Sequence, residues 1–463
     1  MGHRRRWAAS MPLLVALGML SMQACSGGGG GNGDATSPTD SPTLSPTRTA
    51  TPSVTATSGP PATITNRPTS TPSATATPTA TPNQTPLPSR VVFIAAPSFK
   101  VAPRPSFIAA ADFNQDGHAD VVVSSPRSRE VDILFGNADG TFTLGLSTLL
   151  GVFPGWLATD DLNGDQLPDI VIADERRGGL FILINNGDSS FAPAQLQLID
   201  GAPFGVAIGD FDQKDGNDLA ITDRTANRLT VLLNDGQSPP HFGNASTYPV
   251  EAGPEDVFAA DFNGDGPLDI VTLDNSGSTT KEVTLFLFDK LNAGAPVFKR
   301  VGNFGVGEAP SDLHVADLNG DGRPDLVMLN QPGMGTGEFN LLFARSDGLL
   351  EQSIALPIPC PIGGGTLSCR PTALAVDDFN GDGTFDLAVT LFNPGGGAVS
   401  DTVRVFGGLG DGSFAPGEVY TTEPQAVAMV AADVTGSGGP DVVIASLELG
   451  SVQTQINVSA SNP

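Results

Sequence analysis

The chain has 463 residues, 23 of them lysine or arginine against 50 aspartates and glutamates, for a formal net charge of −27. That balance excludes a nucleic-acid binder, whose phosphate contacts need many basic side chains. Of the 50 acids, 21 fall inside seven short repeats, so much of the acidity belongs to local sites, and the remainder suits an exported protein with one globular domain.

In chain order the first element is an export signal. Arg4, Arg5 and Arg6 precede an apolar run from Trp7 to Met22, which is the layout of a secretory signal and is too short and wrongly flanked for a spanning helix. The tetrapeptide Met22-Gln23-Ala24-Cys25 resembles a bacterial lipobox, departing from it at Met22, usually leucine, and Gln23, usually a small residue. The resemblance implies that residues 1–24 are removed, that Cys25 is acylated, and that the protein is held at the outer membrane or cell surface through lipid alone. Ordinary cleavage with secretion is the alternative, and the arginine run also permits a twin-arginine reading. Residues 25–90 are Gly and then Ser/Thr/Pro-rich. Such a composition cannot bury enough apolar surface to offset ordering, so a disordered stalk is expected there.

From residue 91 to 463 the chain is organised by an acidic nonapeptide that occurs seven times and runs each time into a short β-type segment. The copies begin at Asp112, Asp161, Asp210, Asp261, Asp317, Asp378 and Asp433. Calcium takes six to eight hard oxygens, and a tight loop can supply side-chain oxygens from positions 1, 3 and 5 and a backbone carbonyl from position 7. A glycine at position 6 permits the turn, and an aspartate at position 9 is expected to close the shell. Five copies fit: Asp112, Asn114, Asp116, His118 and Asp120; Asp161, Asn163, Asp165, Leu167 and Asp169; Asp261, Asn263, Asp265, Pro267 and Asp269; Asp317, Asn319, Asp321, Arg323 and Asp325; and Asp378, Asn380, Asp382, Thr384 and Asp386. Position 7 varies freely, as expected if only its carbonyl is used. The flanks are strands, so the loop is a hairpin connection rather than an EF-hand.

Two copies depart strongly, the third and the seventh, and the second departs while keeping its ligands. The second has Gln166 where glycine belongs, which should strain the turn. The third keeps Asp210, Asp212 and Asp218 but has Lys214 at position 5, so it is expected to be a weak site with an ammonium in part of the cation's place. The seventh has Thr435 and Ser437 in place of Asn and Asp and is expected to be metal-free. About five calcium ions follow. A metal-free Asx/Gly turn is the competing reading of any single copy.

A second periodicity sets the architecture. Phe93, Phe142, Phe191, Phe242, Phe298 and Phe414 each lie nineteen residues before a motif aspartate, and Pro105, Pro154, Pro203, Pro254, Pro310 and Pro371 lie seven before. Each unit reads as four strands, one blade of a propeller. The sixth unit, which contains Cys360 and Cys369, has Leu350 instead of phenylalanine and carries nine extra residues. A local disulfide there suits an oxidising compartment, with a free thiol pair as the alternative. After the seventh motif come two strands and no outer one, whereas Val91 to Ala95 forms an outer strand without a preceding motif. An all-β, seven-bladed propeller closed by this N-terminal strand pairs both open edges.

The DFNGDG loops, the strands after them and the tails GNADGTF (136–142) and GLGDGSF (408–414) resemble FG-GAP/VCBS repeats, the family that includes the integrin α-subunit propeller. The resemblance covers about residues 91–458. It implies a calcium-bearing propeller and leaves the activity open, since one fold hosts many functions. The residues show no G-x-S-x-G elbow and no H-E-x-x-H; His118 lies in a loop, His241 at a turn and His314 in an inner strand. The expectation is therefore a monomeric, calcium-stabilised binding or adhesion module at the cell surface, without catalysis of its own, that recognises a protein or glycan. A propeller-based hydrolase or lyase acting on polysaccharide or lipid, and a structural surface component, are the alternatives. Phe107, Trp156, Phe204, Glu255, Asp256 and Asp312 follow the conserved-spacing prolines and vary between units, so they are the candidate ligand face. With only Trp156, Tyr248 and Tyr420 besides phenylalanine in the mature chain, a sugar-stacking platform has little to build on.

Overall fold

Directly after each motif, a run of branched residues makes a strand that starts at the ninth motif position. These second strands are Asp120–Ser125, Asp169–Asp174, Asp218–Asp223, Asp269–Asp274, Asp325–Asn330, Asp386–Phe392 and Asp441–Ser446. Nearly every residue in them is buried. Both faces of each are covered, so the sequence runs apolar without alternation, as in any doubly covered sheet. The structure, a computed structural model, describes residues 90–459 apart from 151–152, 175, 177, 215, 276–280, 308, 331–336, 360–369 and 393–400. The export signal, Cys25, the stalk and the Cys360/Cys369 pair lie outside the described residues.

Each second strand pairs antiparallel with an inner strand before it and a third strand after it. The inner strands are Phe107–Ala111, Leu157–Asp160, Pro203–Gly209, Pro254–Ala260, Pro310–Ala316, Arg370–Asp377 and Ala426–Ala432. Small residues dominate them because they converge: each inner strand touches that of the next blade, and the seventh touches the first. That closes a ring of seven blades. The third strands are Glu130–Gly136, Gly179–Leu183, Arg228–Asn234, Glu282–Asn292, Glu338–Leu342, Thr402–Gly408 and Ser451–Asn457. Outer strands Phe142–Leu149, Gln195–Leu198, Phe242–Pro249, Ala295–Gly305, Ile354–Pro357 and Phe414–Thr421 complete six blades.

The seventh blade takes its outer edge from the other end of the chain. Phe93–Ala95 pairs with Ser451–Asn457, Phe93 opposite Asn457, and Phe99–Lys100 pairs further along the same strand. The strand begins two residues later than the sequence suggests, yet Val91 is buried and its carbonyl accepts the Tyr420 hydroxyl at 2.6 Å.

The cores lie between adjacent blades, and there the phenylalanine periodicity acquires its cause. Phe113, Phe211 and Phe379, each at position 2 of a motif, meet Phe191, Phe298 and Phe93 of the following blade edge-on, with ring centroids 5.6, 5.9 and 5.7 Å apart. T-shaped pairs of this kind add about 0.5–1.5 kcal/mol beyond area burial. Leu350 fills the corresponding place in the fifth blade, bridging Ala344 just as Phe191 bridges Asn185.

Phe93→Ala is expected to lower the unfolding free energy by about 3–5 kcal/mol, because its ring is buried against Phe379 and Tyr420. Ile94, 55 % exposed on the other face of the same strand, should tolerate alanine within about 0.5 kcal/mol. Denaturant unfolding of both variants measures the contrast, and equal losses would show that this strand is not the closing edge.

Candidate metal loops and inner-strand joints

Each motif loop is held by its own carboxylates. In the first, Asp112 Oδ1 accepts the amide of Asp116 at 3.1 Å and Oδ2 that of Gly117 at 2.9 Å; Asn114 Oδ1 accepts from Asp116 at 3.0 Å, and Asp116 Oδ1 from His118 at 2.9 Å. The position-1 oxygens make the same bonds to the amides of positions 5 and 6 in the second, fourth, fifth and sixth loops. Asp433 of the seventh loop does so too, to Ser437 and Gly438. Among the described residues, positions 4 and 6 are left-handed. Gly117, Gly266, Gly322, Gly383 and Gly438 occupy position 6, and Gln166 adopts φ 68° there in the second loop, the strained turn expected from its side chain.

Position 9 has a different task from positions 1, 3 and 5. In all seven loops its Oδ1 accepts the amide that ends the core of the third strand, from Gly136, Asn185, Asn234, Phe288, Ala344, Gly408 and Asn457, at 2.7–2.8 Å. In the first five loops Oδ2 accepts the position-2 amide at 2.8–3.1 Å. These aspartates are fully buried. Burial pushes Asp120, Asp169, Asp269, Asp325 and Asp386 up to about 7, against the pull of the backbone amides and with the position-1 and position-5 carboxylates adding to the rise.

The donor set fits a divalent cation in the first, second, fourth and sixth loops. Each offers hard oxygens at positions 1, 3 and 5 in front of a buried anion, and no ion pair engages them among the described residues. A carboxylate oxygen has two acceptor sites, so the amide bonds leave capacity for a metal. The third and fifth loops fit less well. Asp210, Asp212 and Asp218 are the one set of three carboxylates within 4.8 Å of one another among the described residues, but Lys214 Nζ contacts Asp212. In the fifth loop the guanidinium of Arg323 lies 2.5 Å from Asp321 Oδ2.

Neighbouring loops are linked as well. Asn185, Asn234 and Asn457 donate through Nδ2 to the position-2 carbonyls of the preceding blade, Phe113, Leu162 and Phe379, at 2.6–2.8 Å. His118 Nδ1 lies 3.0 Å from the carbonyl of Val434 in the seventh loop. Spacing alone did not reveal these links, although asparagine at the end of a third strand is the signal that marks them.

The residues expected to form a ligand face are corrected by their burial. Phe107, Trp156, Glu255, Asp256 and Asp312 are all buried, and Phe204 is half-buried with the Arg224 guanidinium 4.7 Å above its ring. They open the inner strands where consecutive blades converge, and Phe107, Trp156, Glu255, Asp256 and Asp312 make contacts across to a neighbouring blade. Asp256 Oδ2 accepts the amide of Leu313 at 3.4 Å, and Asp312 Oδ2 that of Leu374 at 2.5 Å, each in the next blade. Arg224 pairs with Glu255. His314 Nε2 lies 3.4 Å from Asp312 Oδ1, both buried. Burial first, then the nearby charges of Glu255 and Asp312, hold the Asp256 carboxyl well above the usual range.

The FG-GAP-like repeat family matches residues 161–217, 261–328 and 378–444, and the FG-GAP repeat family matches residues 105–143. No curated protein is significantly similar. Among solved structures the chain is similar to BBS1N in complex with ARL6DN, in crystals soaked with lead (13 % identity, TM-score 0.52) and with mercury (14 %, 0.52), each alignment covering 81 % of this chain and 99 % of that one. A functionally unknown protein from Desulfotomaculum acetoxidans DSM 771 aligns at 15 % identity and TM-score 0.47 over 70 % of this chain and 88 % of that one. At these identities the likeness is one of fold.

Asp325→Ala leaves the buried amides of Leu318 and Ala344 without an acceptor, so a loss of about 2–4 kcal/mol is expected. Ser437→Ala, exposed in the seventh loop, should stay within about 0.5 kcal/mol. Comparable losses in chemical denaturation would refute the anchoring role of position 9. The Asp256 carboxyl gives a pH signature. Its folded pKa is raised above the unfolded value near 4, so its contribution to stability is present in acid and is lost as pH rises from about 4 towards the folded pKa. Asp256→Asn should therefore gain in melting temperature relative to the native chain between pH 4 and pH 8, and a pH-independent difference would contradict this.

Proposed function

Since the chain is an FG-GAP repeat β-propeller, we propose that it is a calcium-stabilised binding module that captures a protein partner at the cell surface, through the blade loops at the end of the sheets opposite the motif loops. The observation that carries this reading is the inequality of those loops. The motif loops are nine residues in every blade, but the segments between second and third strands have four residues in blades one, two, three and seven, and seven, seven and nine in blades four, five and six. The sequence between the outer strand of blade five and the inner strand of blade six, residues 358–369, is also long. Unequal loops on an invariant scaffold are where recognition is placed without disturbing the fold. BBS1N, a propeller of the same fold, is seen in complex with a protein, which supports a protein partner, as does the small number of exposed aromatic rings.

Calcium is assigned to the first, second, fourth and sixth loops. Their position-1, -3, -5 and -9 oxygens and position-7 carbonyls would hold it, and it would supply charge neutralisation for three carboxylates per loop. These residues also hold the hairpin between inner and second strand, so each ion would brace a blade. Membrane attachment rests on Cys25 and the residues before it, with the stalk as a spacer; adhesion is the role that such a placement favours.

Chelation is expected to lower the melting temperature by roughly 5–10 °C through loss of a ligand that binds only the folded state. A melting temperature indifferent to chelator would remove calcium from the reading. For the partner, a protein and glycan array probed with the full chain should show capture by proteins. Exchange of residues 393–401 for the four-residue turn 447–450 should abolish that capture with no loss of melting temperature. Undiminished capture would move the recognition face elsewhere.

A further inference from the structure

Two of the seven loops carry a cation of their own, at places where the repeat pattern would put a metal. In the third loop Lys214 stands at position 5, the position filled by Asp116, Asp165, Asp265, Asp321 and Asp382 elsewhere. Its ammonium contacts Asp212, whose side chain is buried, and donates to the carbonyl of Gly294 at 3.0 Å. Gly294 lies in the turn between Glu282–Asn292 and Ala295–Gly305, eleven residues each and the longest strands among those described. Its φ of 86° requires a glycine, and a Cβ there would meet Lys214 Nζ at 3.3 Å. Lys214 therefore ties the third loop to the long hairpin of the fourth blade. An ammonium is a compact charge with three donors, able to bridge a carboxylate and a carbonyl much as a metal ion does.

The fifth loop reaches the same result from position 7. The Arg323 side chain turns back so that its guanidinium lies 2.5 Å from Asp321 Oδ2, and its Nε lies 3.4 Å from the carbonyl of Ala344. Ala344 is the residue whose amide rests on Asp325. The guanidinium thus joins the motif loop to the end of the third strand. In the first, second, fourth and sixth loops position 7 is His118, Leu167, Pro267 or Thr384. None of those side chains pairs with the position-5 carboxylate as a cation; the Thr384 hydroxyl donates to Asp382, and the His118 ring is turned to Val434.

We propose that Lys214 and Arg323 take the place of calcium in the third and fifth loops, so that the junction of blades three and four and the base of blade five are held by side-chain cations independently of metal. The proposal rests on the calcium reading for the other loops. A divalent ion placed within a few ångströms of either side-chain cation would be repelled, lowering its affinity by about tenfold or more. Seven loops less the third, fifth and seventh leave four calcium sites, fewer than the five that ligand spacing alone suggests.

Calcium titration of the full chain should give four ions. Lys214→Asp restores the acidic position 5 and should give five, as should Arg323→Thr, which copies the sixth loop. A native chain that binds six ions, or variants that gain none, would overturn the proposal. Lys214→Met provides a readout that needs no calcium. It should lower the melting temperature by roughly 2 °C equally in calcium and in chelator, and it should speed amide hydrogen exchange in residues 290–297. Asp261→Ala in the fourth loop should instead cost stability mainly in calcium. If the chain binds no calcium at all, the calcium reading fails while the Lys214 result still decides the clamp. Unchanged melting and exchange in Lys214→Met would refute the clamp whatever the titration shows.

Discussion

The structure depends on one buried carboxylate in each motif. The ninth residue of each motif starts a second strand, is fully buried, and gives one oxygen to the amide that ends the third-strand core. In most loops its other oxygen holds the amide of position 2. One side chain thus fixes a hairpin loop, the strand that leaves it and the strand after that. Buried amides need acceptors, and an anion makes the stronger bond. The cost is an unpaired buried charge, visible in carboxyls pushed up to about 7. A nearby cation offsets that cost, so the architecture creates its own demand for positive charge in front of each anchor.

How that demand is met differs from blade to blade. In four loops the position-1, -3 and -5 oxygens pair with no side-chain cation among the described residues, while Lys214 and Arg323 supply a cation in two others. The seventh loop has no carboxylate at position 5, and its Asp433 makes the same backbone bonds as its counterparts. The loop shape is therefore set by the position-1 and position-9 aspartates and by left-handed residues at positions 4 and 6. The turn thus closes on itself through the chain's own hydrogen bonds.

Much of this was legible along the chain because the signals were periodic. The nonapeptide, the phenylalanine nineteen residues before it and the proline seven before it all map onto fixed places in a blade. Phe93 shows why: its offset from Asp112 is the same as that of Phe191 from Asp210, and both rings pack against a position-2 phenylalanine of the preceding blade. What escaped is whatever depends on direction and not on spacing. Arg323 was read for its carbonyl, yet its side chain folds onto Asp321. Glu255, Asp256 and Asp312 varied between units like surface residues, but inner strands converge towards the ring and enclose them. A polar residue next to a proline turn carries no mark that tells an exposed loop tip from a joint between sheets.

The two ends of the blades answer to different constraints. At the motif end, every loop must place two aspartates in a left-handed turn, and the first, second, third, sixth and seventh loops also meet an asparagine, a histidine or a ring from the adjacent blade. Little freedom is left there for a partner to select. At the other end one backbone bond recurs in all seven blades, from the residue after the outer strand to the carbonyl that ends the segment between second and third strands, while the length of that segment varies from blade to blade. The long segments of blades four, five and six lie at that end. They are flanked by the buried Asp256 and Asp312, which bond across to the next inner strand. A joint directly beneath the longest segments fixes their bases, so the chain can lengthen there while the ring stays closed.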